Sequence, residues 1–72
     1  HPGPARECRA GPAQRFVGMP YSHGLEQRAQ RAARARLVRV LRPGQGATMD
    51  YRIERLNLML DERNIVRSAS CG

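Results

Sequence analysis

Apolar and polar residues alternate most regularly between positions 55 and 60. Leu56, Leu58 and Leu60 occupy every second position, with Arg55 and Asn57 between them. Because successive side chains of a strand point to opposite faces, this period of two predicts a strand whose leucines face a core. Arg55 and Asn57 would then share the other face, close to the segment that precedes the strand.

Two shorter apolar runs predict two further strands. Residues 37–41 are apolar and β-branched with one charge, which is typical of a strand with at least one buried face. Arg42-Pro43-Gly44 ends this strand, since proline cannot donate to a ladder and glycine frees the backbone. A polar turn over residues 61–64 precedes Ile65-Val66-Arg67, which can continue to Cys71 as an edge strand.

A helix is predicted from Ser22 to about Arg34. Pro20-Tyr21-Ser22 has the form of a helix start, with the Ser22 hydroxyl placed to accept from an unpaired backbone N–H. Strong helix formers follow, and the apolar residues among them fall at helical spacing: Leu25, Ala29, Ala32 and Ala33. Phe16, the only phenylalanine, is expected to anchor the core.

The 72 residues suffice for one domain with a small core. Residues 1–15 hold three of the five prolines and almost nothing apolar, so we expect an N-terminal arm there and one packed domain over residues 16–72. The order helix, strand, long loop, strand, turn, strand predicts an α+β fold with one helix packed on a small sheet.

The two cysteines, Cys8 and Cys71, lie near opposite ends of the chain. A disulfide between them would close about 63 residues and stabilise the domain by roughly 4 kcal/mol through loop-closure entropy. This interpretation, together with a chain that begins at His1 as a trimmed product would, predicts a secreted protein. Two unpaired buried thiols in a cytosolic domain are the alternative. No apolar run approaches the roughly 20 residues of a membrane span, so no membrane partner is expected.

The net charge is +7, and all thirteen basic residues are arginine. Such a balance suggests a nucleic acid or another polyanion as a partner. The residues that would bind it are Arg28, Arg31, Arg34, Arg39 and Arg42. A solvated basic surface explains the same charge and is the interpretation we favour, so a basic nucleic-acid-binding module stays the alternative function.

Enzymatic or metal chemistry is not expected from the residues present. The histidines are His1 and His23, and the serines are Ser22, Ser68 and Ser70. Their spacing does not predict a nucleophile with its base and orienting acid. Together with Cys8 and Cys71, the histidines lack the paired spacing of metal ligands. Gly44-Gln45-Gly46 leads into a loop and strand, whereas a phosphate-binding glycine motif leads into a helix. No enzyme activity, cofactor or metal is therefore expected.

Several short motifs in one order resemble a known family. They are Pro20-Tyr21-Ser22, Val38-Arg39-Val40, Arg42-Pro43-Gly44, Thr48 to Arg52, Arg55-Leu56-Asn57 and Cys71-Gly72. The series resembles the small single-disulfide elastase inhibitors of fungi and bacteria, and its loop resembles that of the potato inhibitor I type serine protease inhibitors. The resemblance covers about residues 16–72. It implies a mixed sheet whose first two strands are parallel and joined by a long exposed protease-binding loop.

By this resemblance the loop is the functional site. Met49 would be the P1 residue, whose side chain enters the specificity pocket of the protease, and Asp50 the P1' residue beyond the bond presented for cleavage. Gly46, Ala47 and Thr48 would precede them at P4 to P2, and Tyr51 and Arg52 would follow. A flexible apolar methionine suits subtilisin-, chymotrypsin- or elastase-like enzymes. The implied partner is thus a serine protease, bound by a monomer.

Arg55 is the residue expected to brace the loop, through bonds to Thr48 and Asp50. Asn57 is the second bracing residue, expected to bond only a backbone carbonyl or the Thr48 hydroxyl. The plant inhibitors have a second arginine at this position, so the brace is expected to be weaker unless the disulfide compensates. Each role has an ordinary alternative. Met49 would be a simple exposed methionine, Arg55 and Asp50 a surface ion pair, and Tyr51 a core residue.

Overall fold

The predicted helix and the three predicted strands are all present in a computed structural model of the chain, which describes residues 8–45 and 50–72. The elements in chain order are helix α1 (Ala10–Ala13), a 3-10 turn (Gln14–Phe16), helix α2 (His23–Ala33) and strands β1 (Leu37–Leu41), β2 (Arg55–Leu60) and β3 (Val66–Cys71). Helix α2 lies against one face of the sheet that the strands form.

The sheet has the order β1-β2-β3, with β2 in the centre. Strands β1 and β2 are parallel, and their register pairs Leu37 with Arg55 and Arg39 with Asn57. Strands β2 and β3 are antiparallel, and the strand order confirms β3 as an edge strand. The mixed sheet and the α+β fold are as predicted. The parallel pair also explains the long connection, because the chain must return along the whole sheet before β2 begins.

The core lies between α2 and the leucine face of β2. Leu56 and Leu58 are fully buried and Leu60 nearly so, as the alternation predicted. They pack with the predicted helix stripe, of which Leu25, Ala29 and Ala33 are buried and Ala32 is partly buried. Phe16 also belongs to this cluster. Val38 and Val40 of β1 contact it but stay partly exposed, because β1 is the other edge of the sheet.

The structure differs from the predicted arm over the residues just after Cys8. Ala10–Ala13 is a short helix, and Ala13 is fully buried in the core. The backbone N–H of Arg9 donates to the carbonyl of Ala33 at 2.7 Å, and Nε2 of Gln14 donates to the carbonyl of Ala69 at 2.8 Å. A small alanine reaches the core here without the apolar periodicity that would have predicted it. The domain boundary at residue 15 stays a prediction.

Helix α2 begins and ends at the predicted residues. The hydroxyl of Ser22 accepts from the backbone N–H of Leu25 at 3.0 Å, which satisfies a donor that has no partner within the helix. Arg34 ends the helix in the left-handed conformation with φ 52°. Tyr21, just before the cap, donates from its hydroxyl to Glu26. That hydrogen bond, with burial, raises the pKa of Tyr21 above its ordinary value.

Replacement of Ser22 by alanine is expected to lower the free energy of unfolding by about 1 kcal/mol, because the Leu25 N–H loses its acceptor. Urea unfolding followed by circular dichroism measures this change. Ser70→Ala, on the exposed side of β3, is the matched control and should shift stability by less than about 0.5 kcal/mol. Equal effects of the two substitutions would show that the cap does not stabilise the helix.

Candidate functional site

The long connection leaves β1 through a tight turn. The backbone N–H of Gln45 donates to the carbonyl of Arg42 at 3.0 Å, and the Gln45 side-chain oxygen accepts from the Arg42 backbone N–H at 2.9 Å. Gly44 has φ 84°, a conformation that glycine adopts without a steric penalty. The Arg42-Pro43-Gly44 stop is therefore present as predicted. Gly46, Ala47, Thr48 and Met49 lie outside the described residues, so their predicted roles stay predictions.

Arg55 contacts both Asp50, at the end of the long connection, and Gly72, which follows β3. Its Nη1 donates to Oδ2 of Asp50 at 3.1 Å, and its Nη2 donates to the Asp50 carbonyl at 2.9 Å. The carbonyl of Gly72 accepts from Nε at 3.1 Å and from Nη2 at 2.7 Å. The predicted contact between Arg55 and Asp50 is present, whereas the predicted contact with Thr48 lies outside the described residues. Arg55 is only 8% exposed, so the alternative of a surface ion pair does not describe it.

A second arginine reaches Asp50 from β1. Nη1 of Arg39 lies 3.6 Å from Oδ1 of Asp50, and Nε of Arg39 donates to Oδ1 of Asn57 at 3.1 Å. The amide oxygen of Asn57 thus accepts from Arg39, a partner that the sequence did not indicate. The carboxylate of Asp50 lies between two guanidinium groups, one from β1 and one from β2. Arg39 thus supplies a second arginine to the brace, although position 57 carries asparagine where the plant inhibitors have arginine.

Tyr51 and Arg52 follow Asp50 at the surface. Tyr51 is 72% exposed, so its alternative assignment to the core is wrong. Its ring lies over the C-terminal residue, since a β-carbon built at Gly72 would lie 3.0 Å from Cε1 of Tyr51. A side chain at this position would crowd the ring, and its φ of 146° is a conformation that glycine adopts without strain. Arg52 is exposed, and its carbonyl accepts from the Arg55 backbone N–H at 3.1 Å.

Residues 53 and 54 are fixed by backbone hydrogen bonds from earlier parts of the chain. The carbonyl of Ile53 accepts from the N–H of Cys8 at 2.9 Å. The carbonyl of Glu54 accepts from the N–H of Arg36 at 2.9 Å and of Leu37 at 3.3 Å. The segment after Met49 is thus held by its backbone as well as by the two arginines, while the side chains of Tyr51 and Arg52 remain accessible to a partner.

Cys8 and Cys71 form the disulfide that one of the two sequence interpretations predicted. Their Cα atoms are 5.6 Å apart, within the range for a disulfide. The bond fixes the end of β3 beside the start of the described chain. Cys71 directly precedes Gly72, whose N–H donates to the carbonyl of Arg55 at 2.9 Å. The alternative of two unpaired thiols is therefore wrong.

The arginines proposed for polyanion binding lie on different parts of the fold. Arg28, Arg31 and Arg34 belong to α2 or its C-terminal cap. Arg39 faces Asp50. Nη1 of Arg42 donates to Oδ1 of Asn64 at 2.9 Å, and the central carbon of its guanidinium lies 5.8 Å from the centre of the Tyr21 ring. Nε of Arg28 donates to the Gly24 carbonyl at 3.4 Å, so at least three of the five guanidinium groups are engaged within the protein. Polyanion binding stays a prediction.

Neither a metal-binding cluster nor a membrane-spanning helix is found among residues 8–45 and 50–72. Within these ranges, no group of three or more histidine, cysteine or acidic residues is placed to hold a metal ion. Among the same residues, no helix is both long enough and apolar enough to cross a membrane. His23 lies exposed at the start of α2, with its Nε2 3.3 Å from Nε2 of Gln27.

Comparison with known proteins agrees with the resemblance found in the sequence. Residues 8–72 match the peptidase inhibitor I78 family. The chain is 36% identical over 59 residues to the elastase inhibitor AFLEI of Aspergillus flavus. These residues are 82% of this chain and 81% of that protein. The elastase inhibitor AFUEI of Aspergillus fumigatus is also 36% identical over 59 residues, which are 82% of this chain and 63% of that protein.

Two solved structures share the fold. The elastase inhibitor AFUEI, in crystal form II, superposes with a TM-score of 0.66 at 35% identity, covering 83% of this chain and 82% of that one. The crystal structure of bitter gourd trypsin inhibitor gives a TM-score of 0.63 at 28% identity, covering 92% and 91%. Both relatives are protease inhibitors by name, and both combine with the family match to confirm the α+β inhibitor fold predicted above.

Proposed function

The chain belongs to the peptidase inhibitor I78 family, and from this premise we propose that it inhibits a serine protease through the loop before β2. Its relatives are inhibitors and not enzymes, as the sequence predicted for this protein. In this proposal Met49 is the P1 residue and Asp50 the P1' residue. Residues 46–48 precede them in the protease cleft, and Tyr51 and Arg52 contact the leaving-group side.

The observation that carries this proposal is the buried guanidinium of Arg55. It holds both the side chain and the carbonyl of Asp50, so the residue beyond the proposed cleavage site is fixed before a protease arrives. A segment that is already ordered loses little conformational entropy on binding. The exposed Tyr51 and Arg52 next to this fixed point supply contact surface to the partner.

The mechanism follows from holding the leaving group in place. The protease serine attacks the Met49 carbonyl, the bond to Asp50 breaks, and the serine proton passes to the new Asp50 amine. In an ordinary substrate this amine diffuses away and water hydrolyses the ester. Here Arg55 fixes Asp50 to β2, which pairs with β1 of the other fragment, so the amine can attack the ester and re-form the peptide bond with release of the serine. The protein is cleaved slowly and leaves the enzyme blocked.

The chemistry of Met49 defines the class of target. Burying an unbranched apolar side chain contributes about 1.5–3 kcal/mol to binding. We therefore propose subtilisin-, chymotrypsin- or elastase-like proteases, and the two Aspergillus relatives are named as elastase inhibitors. A trypsin-like pocket requires arginine or lysine instead. The disulfide supports our proposal that the protein is secreted, and we propose that it acts as a monomer.

Replacement of Met49 by glycine tests the proposed P1 residue. Inhibition of a subtilisin, a chymotrypsin or an elastase should weaken about 10- to 150-fold, because the specificity pocket is left empty. Inhibition constants for the wild-type and variant proteins measure the effect. Met19→Gly removes the same type of side chain at an exposed position outside the loop and should leave inhibition unchanged. Unaltered inhibition by Met49→Gly would rule out this P1 assignment.

A further inference from the structure

The two arginines that contact Asp50 come from different sides of the proposed cleavage site. We propose that Arg39 is a positioning residue that holds the leaving group on the fragment carrying the ester, and so promotes re-formation of the Met49–Asp50 bond. This inference rests on the proposed function. It assigns to Arg39 a role that differs from that of Arg55, although both residues contact the same carboxylate.

The carboxylate of Asp50 is shared between the two side chains. Oδ2 lies 3.1 Å from Nη1 of Arg55, and Oδ1 lies 3.6 Å from Nη1 of Arg39. The Asp50 side chain is 50% exposed, whereas those of Arg39 and Arg55 are 22% and 10% exposed. The two cations are thus fixed by the protein, and the carboxylate is the part that they position.

Asn57 orients the Arg39 guanidinium toward Asp50. Arg39 and Asn57 are paired in the parallel register of β1 and β2. The Asn57 amide oxygen accepts from Nε of Arg39 at 3.1 Å, while Nη1 of the same guanidinium lies near Asp50. Asn57 is buried, so its position is set by the sheet. A hydrogen bond at Nε fixes the direction in which the rest of the planar group points.

Cleavage between Met49 and Asp50 separates these contacts into two kinds. Arg55, Asn57 and Gly72 lie in the fragment 50–72, together with Asp50 itself. Arg39 lies in the fragment 1–49, on strand β1, which precedes Met49 in the chain. The contact between Arg39 and Asp50 therefore crosses the cleaved bond, whereas the contact between Arg55 and Asp50 does not.

The location of Arg39 on β1 is what gives this crossing contact its effect. Strand β1 is an edge of the sheet, and Leu37 at its start is 41% exposed. The β1–β2 pairing joins the fragment that carries the ester to the fragment that carries the Asp50 amine, so a shift between these strands would loosen that connection. Arg39 resists that shift at the residue whose amine must attack the ester. The disulfide and the β1–β2 ladder also join the two fragments, but at points farther along the chain.

An exchange of the paired side chains tests this role. Arg39→Gln removes the cation, and the double variant Arg39→Asn with Asn57→Arg moves it to β2, into the same fragment as Asp50. Arg31→Gln, on the exposed side of α2, is the matched control for loss of one arginine. Each protein is first cleaved by a serine protease that the wild-type protein inhibits, and its cleaved form is purified. The cleaved form is then incubated with a catalytic amount of the same protease. Mass spectrometry then measures the rate at which the intact chain re-forms.

We expect re-formation to slow about fivefold in Arg39→Gln and to stay slow in the exchanged double variant, an effect near the upper end for a partly exposed ion pair. Inhibition measured within minutes of mixing should change less than about threefold in both. Arg31→Gln should behave as wild type. A wild-type rate for Arg39→Gln, or full recovery in the exchanged variant, would overturn the inference.

The same experiment separates this inference from the proposed function. If the wild-type protein inhibits no serine protease, or is cleaved at a bond other than Met49–Asp50, the proposed function is wrong and the inference with it. If the wild-type protein inhibits and is cleaved at that bond while the Arg39 variants re-form it at the wild-type rate, only the role of Arg39 is wrong.

Discussion

Replacement of Arg55 by alanine is expected to change the protein from a slowly cleaved inhibitor into an ordinary substrate. Four hydrogen bonds disappear with the guanidinium, two of them to Asp50 and two to the carbonyl of Gly72. Removing a buried donor leaves its acceptors unsatisfied, at a cost of about 1–3 kcal/mol for each group. The Asp50 amine would then leave the acyl-enzyme before it could attack the ester. We expect the Met49–Asp50 bond to be hydrolysed about 100-fold faster.

The measurement is the time course of cleavage with the inhibitor in excess over the protease. Arg55→Lys is the informative companion variant, because lysine keeps the charge but cannot donate to Asp50 and Gly72 at once in a planar fork. It should lie between wild type and Arg55→Ala. Arg67→Ala, an exposed arginine of β3, should be cleaved as slowly as wild type. If Arg55→Ala resists hydrolysis as well as the wild-type protein does, the brace has been assigned to the wrong residue.

The contact between Arg55 and Asp50 could be predicted from the sequence because the two residues are close along the chain. Asp50 is five residues from Arg55, and the alternation from 55 to 60 puts the arginine on the face opposite the leucines. Local rules also predicted the Ser22 cap and the helix stripe, since caps and periodicity depend on neighbouring residues. These parts of the fold are determined by interactions within one turn of helix or one strand.

Arg39 and Gly72 could not be assigned in this way. Arg39 meets Asn57 only because β1 and β2 pair in a particular parallel register, 18 residues apart in sequence. Gly72 meets Arg55 only because β3 returns antiparallel to β2 and ends beside its first residues. A charge within an apolar strand, such as Arg39 between Val38 and Val40, is the one signal that could have indicated a specific partner. Its identity required the register.

The disulfide couples the ends of the chain to the same brace. Cys71 is followed by Gly72, whose carbonyl accepts two hydrogen bonds from Arg55, and Cys8 donates its backbone N–H to Ile53. After cleavage at Met49–Asp50, the bond between Cys8 and Cys71 is also the covalent link between the fragments 1–49 and 50–72. It therefore serves stability before cleavage and keeps the fragments together afterward.

Replacement of both Cys8 and Cys71 by serine is accordingly expected to have two separate effects. The free energy of unfolding should fall by about 4 kcal/mol, because a closed loop of 63 residues is opened in the unfolded chain. For a domain of this size that is a large share of the total stability. Urea unfolding of the variant and of the wild-type protein, at a temperature where the variant is still folded, measures the difference in the free energy of unfolding.

The second effect is on the cleaved protein, and it distinguishes the role of the disulfide from that of the two arginines. At low temperature the intact double-serine variant should still inhibit the protease, because Arg39 and Arg55 contact Asp50 directly. Once cleaved, however, its fragments are joined only by the sheet and should dissociate on dilution, so re-formation of the bond should depend on protein concentration. Native mass spectrometry distinguishes the joined from the separated fragments. Fragments that stay together on dilution, with re-formation as fast as in wild type, would show that the sheet alone keeps the leaving group in place.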